Sequence, residues 1–275
     1  MEVEPLQDGL PDRYAFESDD SEDDVAANTY PGVTKRTARV KPAPVIEITW
    51  KTEQRQLASD QACVAIGQGG LFWVAGLELG DILVCLNVDG DTVVDIYETQ
   101  GVVLAVVRFE LPIDVMHGVA SCLLSFICPK RMSVIDVYSA PAYISAKSRG
   151  DTDLPIRFLQ TSTSTFKHAE LRPFNPPNLI LSTSAALMNL LETQGDTPGV
   201  LLLLPVPYIE RSPPKRAEPT NISVSWTTDQ MKRLCEAINS PLRWDGQRAQ
   251  KTGSKTTVRA ARRKDSDVYD MQMYI

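Results

Sequence analysis

Ala62-Cys63-Val64-Ala65-Ile66-Gly67 is a five-residue apolar run closed by a turn residue, and Val200-Leu201-Leu202-Leu203-Leu204-Pro205 repeats that pattern late in the chain. Neither run alternates apolar with polar, and both are too short for a helix. A strand that is apolar at every position needs cover on both faces, so these two runs call for a sheet packed between helices. Outward from them, other segments read as strands from their β-branched content: Val45–Trp50, Ile82–Leu86, Thr92–Ile96, Val102–Phe109 and Ser133–Tyr138. Asp89-Gly90 separates the second and third of these and favours the positive φ angles of a tight hairpin.

Three helices interrupt the strands. Asp114 follows Pro112 and can cap a helix whose apolar face is Val115, Val119, Cys122, Leu123 and Phe126, with Pro129 as its stop. Ser184 opens a second, with Leu187, Leu190 and Leu191 on one face and Gly195 as its end. Thr227 opens a third, with Gln230 at capping-box spacing and Met231, Leu234, Cys235 and Ile238 inward. Residues 145–178 form a long polar connection, and five prolines between 205 and 219 mark an irregular excursion. The expectation is an α/β fold: one domain over 43–244 with a mixed central sheet covered by helices. It is flanked by an acidic disordered leader (1–42) and a flexible basic tail (245–275). The charge pattern motivates the tails. The first 24 residues hold ten acidic groups against Arg13 alone, and residues 248–264 hold seven basic groups and no acidic one.

Composition narrows the function classes. The net charge of −7 argues against nucleic acid as the main partner, because phosphate binding needs a basic face. No apolar run approaches the ~20 residues of a membrane span, and the first residues do not read as a signal peptide. The five cysteines show no CxxC spacing and read as reduced core thiols, which sets the expected location as cytoplasmic. Arg262-Arg263-Lys264 raises nuclear import as an addition to that location.

Signs of catalysis are sparse. Gly67-Gln68-Gly69-Gly70 follows a strand, but a dinucleotide fingerprint needs a small residue where Phe72 stands, and no Walker lysine follows. The run is expected to be a tight turn. His117 and His168 are the only histidines, the first a partly exposed helix residue and the second a solvated loop residue. There is no Gly-x-Ser-x-Gly elbow and no HExxH-like spacing. No cofactor, metal or catalytic residue is assigned.

Met273-Tyr274-Ile275 forms a hydrophobic-Tyr-X triplet after a polar, basic stretch. In such a tip the Ile275 carboxylate pairs with a lysine, the Tyr274 ring supplies rigid apolar area with a hydrogen-bonding hydroxyl, and Met273 fills an irregular gap. A proteasome-type insertion, a PDZ ligand and a frayed end are the three readings of the triplet alone.

Gln61-Ala-Cys-Val-Ala-Ile-Gly67, Pro155-Ile-Arg-Phe-Leu159, Asn178–Leu191, Pro198-Gly-Val-Leu-Leu-Leu-Leu204 and the terminal triplet occur in that order along the chain. In these segments and their spacing the chain resembles the proteasome assembly chaperone 1 family. The resemblance implies a non-enzymatic chaperone, paired with proteasome assembly chaperone 2, that holds proteasome α-subunits on the outer α-ring face of the 20S core particle. Met273, Tyr274 and Ile275 would enter a pocket between α-subunits. The alternatives are an α/β enzyme using Gly67–Gly70 as a ligand turn, and a PDZ-directed adaptor.

Overall fold

The apolar run at 62–66 lies at the centre of a nine-stranded sheet. The structure is a computed structural model and describes residues 43–53, 55–144, 154–195 and 197–253. In chain order the elements are β1 (Ile46–Trp50), β2 (Leu57–Ser59), β3 (Gln61–Ala65), α1 (Gly67–Ala75), β4 (Ile82–Val88), β5 (Asp91–Thr99), β6 (Val102–Val107) and β7 (Phe109–Glu110). They continue as α2 (Ile113–Phe126), β8 (Ile127–Pro129), β9 (Met132–Ser139), β10 (Arg157–Gln160), β11 (Arg172–Pro173) and α3 (Thr183–Gln194). The last are β12 (Gly199–Val206), β13 (Glu218–Pro219), α4 (Thr228–Ile238) and α5 (Gly246–Gly253).

The sheet order is β1-β4-β5-β6-β3-β9-β12-β10-β11. β6, β3, β9 and β12 run parallel, with Val64 facing Ala105 on one side and Val134 on the other. An antiparallel meander, β1-β4-β5-β6, extends one edge. The mixed, doubly covered sheet is thus the expected α/β fold. Successive residues of the apolar strands serve opposite faces, as the two-residue strand period requires. Val64, Val134, Leu201 and Leu203 pack with α2 and α3 through Val119, Leu123, Leu187 and Leu191. Cys63, Ala65, Ile135, Leu202 and Leu204 pack with α1, α4 and α5 through Phe72, Trp73, Met231, Leu234 and Ala249. Burying a side chain of this size is worth about 1.5–3 kcal/mol, so each central strand gains on both faces.

Several local expectations are corrected. Gly67-Gln68-Gly69-Gly70 is the first turn of α1 and not a free turn. No residue of the helix is exposed and five of its nine are buried, so it has no solvent face to give a periodic signal. The strand expected over 102–109 breaks at Arg108, whose guanidinium pairs with the buried Asp95 and donates to the Tyr97 hydroxyl at 2.9 Å. Asp114 lies inside the first turn of α2, where its carboxylate faces the positive end of the helix dipole, and Pro112 takes the cap position. The N-cap position of α3 is Ser182, two residues before the expected opening at Ser184. The connection over 145–178 carries β10 and β11, anchored by buried Ile156, Leu171 and Phe174.

Other signals match closely. Asp89 and Gly90 both take positive φ between β4 and β5, Gly195 ends α3 in the left-handed region, and Thr227 and Gln230 form both halves of a capping box on α4. α5 follows Trp244, where the sequence periodicity ends. It packs on α1, with Asp245 N–H donating to the Gly76 carbonyl at 2.8 Å and the Arg248 guanidinium donating to the Leu77 carbonyl at 3.1 Å. All five cysteines are free. Cys63 and Cys85 are buried, but Cys128 is exposed, accepting a bond from the Gln56 amide, so it is not a core thiol. Among the described residues no helix is long and apolar enough to cross a membrane.

Candidate functional site

The parallel strands divide around β3: the chain returns to β6 on one side of it and passes to β9 on the other. Open α/β sheets place their ligand crevices outside the carboxyl ends of strands at such a point. A cleft of about 570 Å³ opens there, lined by Ile66 and Gly67 after β3, Asp136 and Val137 on β9, and Ser182 and Thr183 at the start of α3. Glu110 and Glu218 from the β7–β13 ribbon, with Tyr208 to Arg211 from the excursion after β12, form the remaining wall.

Asp136 is the most buried carboxyl of the cleft, 3% exposed. Its Oδ2 accepts from the Ser182 and Ser184 hydroxyls, each at 2.7 Å, and its Oδ1 accepts from the Val137 N–H at 2.8 Å. Ser182 therefore spends its hydroxyl on Asp136 and not on capping α3. Burial raises the Asp136 carboxyl above its ordinary range, against those three hydrogen bonds. Gly67 has φ +60, and a Cβ there would lie 2.6 Å from Asp136 Oδ1. The first glycine of the run thus allows both the left-handed entry into α1 and the close approach to Asp136.

Gln68 fastens the excursion to α1. Its amide donates to the Tyr208 hydroxyl, and its Oε1 accepts from both the N–H and the hydroxyl of Ser223 at 2.8 Å. That clip brings Glu210 over the cleft. Glu210 reaches solvent, yet protein surrounds its carboxyl. Burial, with Asp136 and Glu110 adding repulsion, pushes it up to about 8. Burial and Glu218, which faces Glu110 across the β7–β13 ladder, push Glu110 up as well. Among the described residues Arg211 is the one cation lining the cleft. Four carboxyls therefore crowd one opening with a single compensating charge.

The mouth carries an apolar fringe. Leu181 and Ile209 line the cleft and are 63% and 70% exposed, and Ile113 lies between the lining residues Leu111 and Met116. Leu179, 83% exposed, is tied to Ile144 through the Asn178 side chain, which bonds both the N–H and the carbonyl of Ile144. Among the described residues the lining contains no histidine, cysteine or lysine; of its two serines, Ser182 donates to the Asp136 carboxyl and Ser223 to the Gln68 amide oxygen. The chemistry this arrangement offers is the holding of a cationic group beside apolar surface. Among the described residues no cluster of three or more His, Cys, Asp or Glu is arranged to hold a metal ion.

The residues singled out in the sequence are not brought together. His117 is exposed on α2, and His168 stacks on Phe166 with its Nδ1 accepting from the Glu170 N–H at 3.3 Å, both outside the cleft lining. Met273, Tyr274 and Ile275 lie outside the described residues, as do the acidic leader and the basic run from 254. The four cleft carboxyls come from four separate segments, and Gly67 and Gln68 are the lining residues that the sequence marked as a candidate ligand turn.

No family model matches the chain, and no curated protein matches its sequence. Among solved structures it is similar to PbaB of Pyrococcus furiosus, an archaeal proteasome activator, with TM-score 0.51 and 11% identity over 77% of this chain and 95% of that one. PbaA of the same organism, an archaeal homologue of proteasome-assembly chaperone, aligns with TM-score 0.48 and 9% identity over 77% and 92%. The Mycobacterium tuberculosis proteasome-assembly chaperone homologue Rv2125 aligns with TM-score 0.37 and 11% identity over 75% and 96%. At these identities the likeness is one of fold: the chain has the fold of an archaeal proteasome activator.

Proposed function

We propose that this protein is a proteasome assembly chaperone of the assembly chaperone 1 family. It pairs with proteasome assembly chaperone 2, binds the α-ring of the 20S core particle and inserts Met273-Tyr274-Ile275 into a pocket between α-subunits. The observation that carries the reading is the agreement between segment and fold. Gln61–Gly67, Asn178–Leu191 and Pro198–Leu204, which bear the family resemblance, correspond to β3, α3 and β12 of a fold shared with a proteasome activator. The mechanism is binding. The folded domain docks, and the tail, weak by itself because its ordering costs free energy, gains from the high effective concentration that docking provides.

The test is affinity purification of the intact protein and of a chain lacking residues 273–275, followed by mass spectrometry. Recovery of α-subunits and a second chaperone with the intact chain, and loss of α-subunits with the truncated one at unchanged melting temperature, is the expected result. Equal recovery from both chains refutes the tail mechanism. Tyr274→Ala separates the PDZ alternative, which depends on positions 273 and 275 and tolerates that change. A melting-temperature shift with a nucleotide or metabolite would favour the enzyme alternative.

A further inference from the structure

We infer that the carboxyl-lined cleft is the docking site for this chain's own basic segment, residues 255–264, which folds back across it. Among the described residues the cleft presents Glu110, Asp136, Glu210 and Glu218 against Arg211 alone, beside the exposed Leu181 and Ile209. The segment Lys255-Thr-Thr-Val-Arg-Ala-Ala-Arg-Arg-Lys264 is its complement: five cations, no acid, and small apolar residues between them. Arginine and lysine lay apolar stems on apolar surface while their heads reach charge, so the fringe and the carboxyls are satisfied together.

Connectivity places the segment within reach. α5 packs on α1, and the amino end of α1, at Gly67, forms part of the cleft. The two helices are about 14 Å and 12 Å long, so the chain after Gly253 starts within roughly 30 Å of the cleft. The eleven residues 254–264 span up to ~36 Å when extended. Crowding of the cleft carboxyls supports the same occupant, because a cation placed among Glu110, Asp136 and Glu210 relieves the repulsion that hinders their ionisation. The docking does not depend on the proposed function. If that function holds, docking shortens the free arm ahead of Met273-Tyr274-Ile275 to residues 265–272.

Zero-length carbodiimide coupling of the full-length protein, read by peptide mass spectrometry, tests this. Lys264, at the far end of the segment, is expected to couple to Glu110, Glu210 or Glu218 within one chain, at a yield independent of protein concentration. The yield should fall about tenfold in ~0.5 M salt, where exposed charges are screened. The Arg259→Glu, Arg262→Glu, Arg263→Glu triple variant keeps Lys264 and the folded domain, and it should lose the same couplings. The inference is overturned if the couplings occur only between chains, if they spread equally to Asp229 and Glu236 on α4, or if the triple variant leaves them unchanged. Since no proteasome component is present, failure here leaves the chaperone reading standing, and failure of that reading leaves the coupling result intact.

Discussion

Gly70→Ala tests whether the glycine run is there for packing or for a ligand. A Cβ at Gly70 would lie 2.7 Å from the carbonyl carbon of Ala65 and 2.8 Å from its Cα. Both are backbone atoms of β3, which is hydrogen-bonded to a neighbour on each side and cannot give way as a side-chain tip would. α1 must therefore lift from the sheet, carrying Phe72 and Trp73 out of their seats. Overpacking against backbone that cannot yield falls in the upper part of the usual range, about 2–3 kcal/mol, while replacing glycine inside a helix recovers about 1 kcal/mol. The net expectation is a loss of about 1–2 kcal/mol. For a domain of this size each kcal/mol is about 2–4 °C in Tm. Urea unfolding should show a lower midpoint at unchanged m. A Gly70→Ala protein as stable as the parent would refute the close seating of α1 on β3. If it also lost a ligand-induced Tm shift shown by the parent, the run would have to be assigned to ligand binding.

Three further outcomes are expected. Thr227→Ala removes half of the capping box on α4 and should cost about 0.5–2 kcal/mol by urea unfolding. Ser184→Ala withdraws one donor from Asp136, which is buried, and should cost about 1–3 kcal/mol, with Ser184→Thr restoring part of it. Glu210 holds its proton more tightly when folded than its ordinary value of 4.5 allows. Between 4.5 and about 8 the folded chain keeps a proton that the unfolded chain has lost, so this group makes stability fall as pH rises through that window. Glu210→Gln should flatten that part of the Tm-against-pH curve and raise Tm above pH 8 relative to the parent.

The elements that were legible are those fixed by neighbours in sequence. Leu201–Leu204 announces a strand buried on both faces because nothing in it is polar. Asp89-Gly90 announces a hairpin because its backbone must take positive φ, and Thr227 with Gln230 announces a helix start because each satisfies the other's backbone. α1 was hidden for the converse reason. Three glycines in its first four residues lower helix propensity, and the lack of any exposed residue removes periodicity. Asp114 was misplaced by one function: a carboxylate at a helix start can cap or face the dipole, and the local sequence does not distinguish the two.

By itself the sequence determined the long buried strands, the α4 capping box, the Asp89-Gly90 hairpin, the Gly195 helix end and the demand for a doubly covered sheet, because those follow from local backbone preference and from the hydrophobicity of short runs. It also supplied the terminal triplet and the basic segment, which are properties of chain order alone. The tertiary structure alone decided the cleft. Glu110, Asp136, Ser182, Glu210 and Glu218 are distant in the chain and unremarked singly. The strand order around β3, the β7–β13 ribbon and the Gln68 clip bring them to one opening. Their crowding, and the raised carboxyls that come with it, exist only after folding, since charge repulsion and desolvation depend on distance in space.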